Sequence, residues 1–381
     1  MVLFFCATPV QLYRVINIKE QYYKNKKCRL YIFDYFNDAE RYVEKCRKTG
    51  IFEDVMLVKF FKISQRTNGL KYKNAKLFSG LQNCFFTILE KKPQIKNLYA
   101  RAWGAFYCLL KNDVLERLKL EKTEKIEEIF FSYQDPIIRM IFLKLKNQKI
   151  EYNRFEDGTA TYSDGVIFYK FRFDELLKIS DEAFKPEKIF VHFPEAVKDI
   201  KETTGEIIRV DFSQNKRAKE LLYDIFDIAN IQEIKEKVIF FDTLVENQNM
   251  GAMLSSLNIF SEDELVCKKH PRRKDSYYED KKIKVYDGAS LPFEMYCEYF
   301  DVSDKILISH CSTACISPAL FFKQTPVAVL CYDFATTKKD KKYDDFDEFL
   351  ERLINNGVPL KLYKPRSEAE YQQLLSTLRQ Q

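Results

Sequence analysis

The feature that most constrains this chain is a repeated unit: a short run of β-branched and aromatic residues, a few small or polar residues, then a stretch with helical periodicity. Val2, Leu3, Phe4 and Phe5 open the first unit, and Thr8 and Pro9 supply an N-cap and a first helical position for the helix after it. Residues 30–33 read as the next strand, 39–48 as a helix that Gly50 stops, and 53–58 as a third strand. Helices are expected over 77–91 and 105–118, with a short strand at 97–100 between them. A strand at 128–133, a helix at 137–147 and a strand at 150–155 come next. Strands that alternate with helices in this way form a parallel sheet covered by helices on both faces.

After Gly158 the pattern breaks into short aromatic strands at 168–173, 189–193 and 207–212, punctuated by Pro186 and Pro194. It resumes with a helix at 216–228 and strands at 238–241, 262–267, 283–285, 306–308 and 326–331. Helices at 292–300, 313–322, 345–355 and 367–378 are expected around them. A chain of 381 residues exceeds the usual size of one domain. The expected architecture is therefore α/β with two Rossmann-like domains, 1–180 and 181–365, followed by a terminal helix in 366–381.

Composition narrows the function classes. With 46% hydrophobic residues, 33 Phe and 23 Tyr against only 10 Gly, the chain is suited to buried sheets and aromatic-lined clefts rather than to disorder. Its 62 Lys+Arg are offset by 56 Asp+Glu. That balance argues against a dedicated nucleic-acid binder and leaves room for a local basic face toward an anionic glycan or membrane surface. Ten cysteines are scattered without a CxxC pair, several inside apolar runs, which suits reduced core thiols better than a disulfide framework or a zinc site. Residues 1–6 are too short for a signal-peptide core, and no apolar run approaches the ~20 residues of a membrane span. A cytoplasmic protein is expected, with peripheral attachment to the inner membrane face left open.

Several short motifs stand at strand ends, where an open α/β sheet binds its ligand. Glu156-Asp157-Gly158 comes directly after the strand at 150–155. A carboxylate there can take a proton from a hydroxyl; the same residues also make an ordinary turn. His270-Pro271 sits among Lys268, Lys269, Arg272 and Arg273, where an imidazole can donate to a phosphate oxygen, or where the run is simply a solvated loop. Glu294 falls in a first helical turn behind Pro292, placed either to accept from two vicinal ribose hydroxyls or to favour the helix dipole. Ser312 and Thr313 come after the strand at 306–308, at a helix mouth that either receives an anion or needs only a cap. Thr8, Gln11, Asp242 and Ser309 are further residues expected at the cleft, whereas His192, inside an aromatic run, reads as a packed structural histidine.

The order acidic-acidic-Gly at 156–158, His-Pro at 270–271, Pro-Phe-Glu at 292–294 and Ser-Thr at 312–313 resembles that of bacterial sialyltransferases of GT-B type. The opening Cys6-Ala7-Thr8-Pro9-Val10-Gln11-Leu12 is most similar to glycosyltransferase family 52, the lipooligosaccharide and capsule sialyltransferases. The resemblance spans residues 6–313. It implies a GT-B fold with an acceptor-side first domain, a CMP-sugar-binding second domain and a last helix that crosses back to the first. It further implies CMP-N-acetylneuraminate as donor, a galactose-terminated glycan as acceptor, an α-2,3 linkage, inversion, and no metal or cofactor. By the resemblance Glu156 or Asp157 would be the general base. His270, with Pro271 beside it, would contact the phosphate and protonate it, Glu294 would hold the ribose, and Ser312 and Thr313 would bind the phosphate. Members of the family differ in which acidic residue is the base, so Asp242 is a further candidate.

The chemistry agrees, because a single phosphate can be stabilised by N–H groups, two hydroxyls and an imidazolium without the divalent ion that diphosphate sugars often need. Glu156 and His270, at strand ends in opposite halves, are the expected base and phosphate-side acid. A glucosyltransferase of the same family and a catalytically silent GT-B glycan-binding subunit are the alternatives, and homodimerisation is left open.

Overall fold

The computed structural model describes residues 1–36, 38–58, 118–120, 125–132, 141, 149–158, 160–163, 186–198, 206–211, 215–243, 250–270, 273, 277–286, 288, 291–336 and 341–381. The elements expected at 77–91, 97–100, 105–118, 137–147 and 168–173 lie outside the described residues, apart from Leu118 and Ile141.

Two parallel sheets form the scaffold. The first holds β1 (Val2–Cys6), β2 (Cys28–Phe33), β3 (Asp54–Val58), β4 (Glu128–Phe131), β5 (Glu151–Phe155), β6 (Lys188–Val191) and β7 (Glu206–Arg209), in the order β3-β2-β1-β4-β5-β6-β7. Every pairing is parallel. β1 is buried along all five residues because it lies between β2 and β4, which explains its unbroken apolar run. The second sheet holds β8 (Val238–Phe241), β9 (Leu265–Lys268), β10 (Ile306–Ser309), β11 (Val327–Leu330) and β12 (Lys361–Tyr363), in the order β12-β11-β10-β8-β9. Chain direction across the sheet reverses between β1 and β4 in the first and between β8 and β10 in the second, so a crevice opens at the carboxyl ends of those strands.

The helices are α1 (Pro9–Tyr22), α2 (Ala39–Thr49), α3 (Ala160–Ser163), α4 (Lys216–Ile225), α5 (Met250–Ser256), α6 (Phe293–Tyr299), α7 (Ser317–Phe322), α8 (Tyr332–Ala335), α9 (Lys341–Asn355) and α10 (Glu368–Gln380). Gly50 ends α2 in the left-handed region, at φ 64°, with its N–H on Arg47 O. The helix expected over 313–322 is divided. Thr313–Cys315 is a single 3-10 turn, and α7 begins only at Ser317. Pro318 is the cause, since its ring excludes the carbonyl of Ala314 and it has no N–H to continue an earlier helix. The strand expected at 283–285 is reduced to one bridge between Cys267 and Val285, while β12, a three-residue edge strand, and the short α5 and α8 are elements that the sequence pattern does not announce.

The junction expected near residue 180 meets a different division. β6 and β7 belong to the first sheet, and sheet membership changes between Arg209 and Val238, with α4 in that interval packed on α1 and α2. Among the described residues, the last helix packs on the second domain and not back on the first. Tyr371, Leu375 and Leu378 of α10 pack with Val238, Met253 and Leu265 of the second domain, and Arg379 pairs with Glu264 at 2.9 Å. α9 makes the crossing. Arg352 donates from Nε to Ala196 O and from Nη2 to Tyr162 O, both at 2.9 Å, and Phe349 stacks on Tyr162 at 5.1 Å. The physical difference is in the two apolar faces: α9 buries Phe346, Phe349, Leu350 and Leu353 in a core that runs through both domains, whereas α10 buries Tyr371, Leu375 and Leu378 in a core of the second domain.

All described cysteines are free thiols, and among them only Cys311 is partly exposed. No described helix is long and apolar enough to cross a membrane.

Candidate functional site

A cleft of about 290 Å³ lies where the two sheets face one another. Thr8, Pro9, Val10, Phe36, Asp157 and Gly158 line it from the first domain, and His270, Pro292, Glu294 and Thr313 from the second.

On the first-domain wall, Thr8 follows β1 in an extended conformation as the N-cap of α1 and accepts the Gln11 N–H at 3.2 Å, which starts α1 at the cleft edge. Gln11 is 1% exposed and stands behind the wall. Its Oε1 accepts from Ala7 N–H at 2.6 Å, so its Nε2 is turned to donate to Asp157 Oδ1 at 2.9 Å. Asp157 in turn donates its backbone N–H to Thr161 Oγ1 at 2.9 Å. Gly158 comes next at φ +70°, a conformation that carries the chain out of the strand and strains any other residue. A Cβ there would sit 3.6 Å from Thr313 Oγ1, an ordinary contact, so backbone conformation rather than space demands glycine.

Glu156, the residue expected to act as base, is 0% exposed and does not line the cleft. Its Oε1 is 2.8 Å from Arg14 Nη2, and its Oε2 accepts from Tyr162 Oη at 2.5 Å and from His192 N–H at 3.0 Å. The cause is strand alternation: adjacent side chains leave opposite sides of the backbone, so when Asp157 faces the cleft Glu156 is turned into the core. Burial opposes charge on Arg14, but the carboxylates of Glu156 and Glu294 outweigh it and hold its pKa above the usual value. Burial lowers the pKa of His192, partly offset by Glu156, in keeping with its reading as a packed histidine.

The second-domain wall is built from strand ends. Asp242, after β8, has a fully buried carboxylate that accepts from His270 N–H, Arg273 Nε and Tyr278 Oη. It holds the segment that carries His270 and does not line the cleft. Pro271 lies outside the described residues. Glu294, 5% exposed, accepts from Ser317 Oγ at 3.0 Å, and Ser317 Oγ lies 2.9 Å from Thr313 O. One hydroxyl therefore ties the carboxylate to the Thr313 turn. Lys268 is buried below, donating to Gly288 O at 3.1 Å; burial lowers its pKa to about 8, and Glu294 limits the fall.

Ser309 and Ser312 are not brought to the cleft. Ser309, in β10, is 0% exposed within the sheet, and Ser312 Oγ accepts the Ala314 N–H at 3.3 Å as a cap. Because Pro318 divides the expected helix, the strand β10 leads into a 3-10 turn, and Thr313 is the hydroxyl of this segment that lines the cavity. Sequence reasoning missed Arg14, Tyr162, Ser317 and Phe36. Arg14 did leave a signal, a lone charge in the apolar stretch Leu12-Tyr13-Arg14-Val15-Ile16. Among the described residues, no group of three or more His, Cys, Asp or Glu side chains could hold a metal ion.

No protein-family model matches the sequence, and no curated protein matches it. Solved structures do resemble it. The S. aureus MnaA–UDP co-structure aligns over 100% of this chain and 88% of its own, with TM-score 0.53 and 8% identity. Arabidopsis thaliana UGT89C1 complexed with quercetin aligns over 99% and 90%, with TM-score 0.50 and 11% identity. Likeness at such low identity is a likeness of fold, and with the two facing parallel sheets it identifies the architecture as GT-B.

Proposed function

We propose that the chain is an inverting, metal-independent sialyltransferase that moves N-acetylneuraminate from CMP-N-acetylneuraminate to a terminal galactose of a bacterial surface glycan, capsule or lipooligosaccharide, with α-2,3 linkage. The observation that carries this reading is the meeting of Asp157, from one domain, with His270, Glu294 and Thr313, from the other, in one cleft. These residues belong to the four motifs on which the resemblance to such enzymes rests.

Asp157 is the base in this reading. Its Oδ1 is fixed by Gln11, and it takes the proton of the acceptor hydroxyl as that oxygen bonds to the anomeric carbon. The bond from that carbon to the phosphate oxygen breaks on the opposite face, which inverts the configuration. The electron pair stays with CMP, whose phosphate the Thr313 hydroxyl and the His270 imidazole stabilise, His270 giving it a proton. Glu294, oriented by Ser317, accepts from the ribose hydroxyls.

A second reading, a UDP-sugar donor, is favoured by the UDP in the S. aureus neighbour. Donor hydrolysis without acceptor separates them. Release of CMP from CMP-N-acetylneuraminate supports the first reading, and release of UDP from UDP-glucose supports the second. Turnover of neither leaves a glycan-binding subunit.

A further inference from the structure

Asp242 follows directly after β8 at the reversal point of the second sheet, where a side chain is expected to meet the ligand, yet its carboxylate is fully buried. Three donors converge on it: His270 N–H at 3.1 Å and Arg273 Nε at 2.6 Å on Oδ2, and Tyr278 Oη at 2.5 Å on Oδ1. Arg273 N–H also donates to His270 O at 2.9 Å. Both backbone polar groups of His270 are thus held, one by Asp242 and the other by a residue that Asp242 itself anchors. Of the residues in this network, His270 is the one that lines the cleft.

We propose that Asp242 is a positioning residue for His270, a buried anion that fixes the backbone after β9 so that the imidazole addresses the nucleotide phosphate. The proposal rests on the nucleotide-sugar reading given above. Charge-assisted bonds to a buried carboxylate are the strong kind, and an acceptor already engaged by a guanidinium, a phenol and an N–H, out of reach of solvent, is poorly placed to take a substrate proton. A base role and a positioning role make opposite demands on binding. Loss of a base spares nucleotide affinity, and loss of a positioning group reduces it through His270.

The test compares Asp242→Asn, His270→Ala and the double variant by calorimetric binding of CMP, and by the imidazole C2–H signals of the chain's 3 histidines. His270→Ala assigns its own signal by deleting it. The expected result is that Asp242→Asn shifts the His270 signal and weakens CMP binding about ten-fold or more, while the double variant binds no more weakly than His270→Ala alone. Additive losses in the double variant would overturn the proposal, since the effect would then not pass through His270. CMP affinity kept while turnover is lost would overturn it in favour of a base. Should the wild-type protein bind no CMP, the nucleotide reading fails by itself, and an unmoved His270 signal in Asp242→Asn would still overturn the positioning role. If Asp242→Asn does not fold, Tyr278→Phe removes one donor and keeps the charge; it should shift the His270 signal in the same direction by less, and no shift overturns the proposal.

Discussion

Arg14 Nη2 lies 2.8 Å from Glu156 Oε1, and both side chains are fully buried beneath the cleft. The pair holds α1 to the end of β5, and Arg14 also lies over the Phe321 ring of the second domain, 4.4 Å from its centroid. Glu156→Gln should therefore act on stability, because it removes the carboxylate that is hydrogen-bonded to a buried guanidinium. The expected loss is on the order of 3–5 kcal/mol by urea denaturation. The double variant Arg14→Met/Glu156→Leu, which removes both charges, should lose less than either single change; a larger loss would mean that the pair does not act as a unit.

Asp157→Asn should lower turnover about 10²–10⁴-fold while leaving CMP affinity near that of the wild type, as the removal of a general base does. Gln11→Leu, which removes the Nε2 donor from Asp157 Oδ1, should lower turnover by less. Half of wild-type turnover retained in Asp157→Asn would move the base elsewhere.

Thr313 and Ser312 should separate. Thr313→Ala removes a hydroxyl at the cleft, and a hydrogen bond to a charged phosphate is typically worth about 1.5–3 kcal/mol, so CMP affinity should fall roughly 10-fold or more. Ser312→Ala removes a cap and should cost about 1 kcal/mol of stability, with affinity within a factor of about two. Equal losses of CMP affinity by calorimetry would contradict this division.

Glu298, on α6, supplies a pH-dependent contribution. Its side chain is 2% exposed, and burial raises its pKa to about 7, against the opposing influence of Lys219, Tyr13 and Arg14. The folded protein thus keeps a proton that the unfolded chain releases near pH 4.5. The contribution is fully present below pH 4.5 and is lost as pH rises through about 7, by on the order of 3 kcal/mol. Glu298→Gln should flatten the stability profile across this window, which ends below the pH at which Lys268 titrates. Thermal melts of both proteins between these pH values check it, and parallel profiles would exclude Glu298 as the source.

Metal-independence is tested directly. Donor turnover should be unchanged in EDTA; activity that collapses and returns with Mg²⁺ or Mn²⁺ would assign phosphate stabilisation to an ion rather than to Thr313 and His270.

The sequence by itself determined the parallel α/β architecture and the strand-end motifs, because those are local properties. The run Val2 to Cys6 is apolar on both faces, as a central parallel strand must be, and Thr8-Pro9 starts a helix directly behind that strand. Tertiary structure decided what local pattern cannot express. Which of two adjacent carboxylates, Glu156 or Asp157, faces the cleft is a matter of side-chain alternation and of an arginine 142 residues earlier in the chain. Asp242 was legible as a strand-end acid, but its role depends on three donors supplied by the segment after β9. Likewise the apolar stripes of α9 and α10 were both readable, yet only packing against Tyr162 and Ala196 made α9 the helix that joins the domains. Periodicity records how a segment meets its nearest neighbours. Burial of a charge, and hence its chemistry, is fixed by partners that are distant in sequence and close only once the chain has folded.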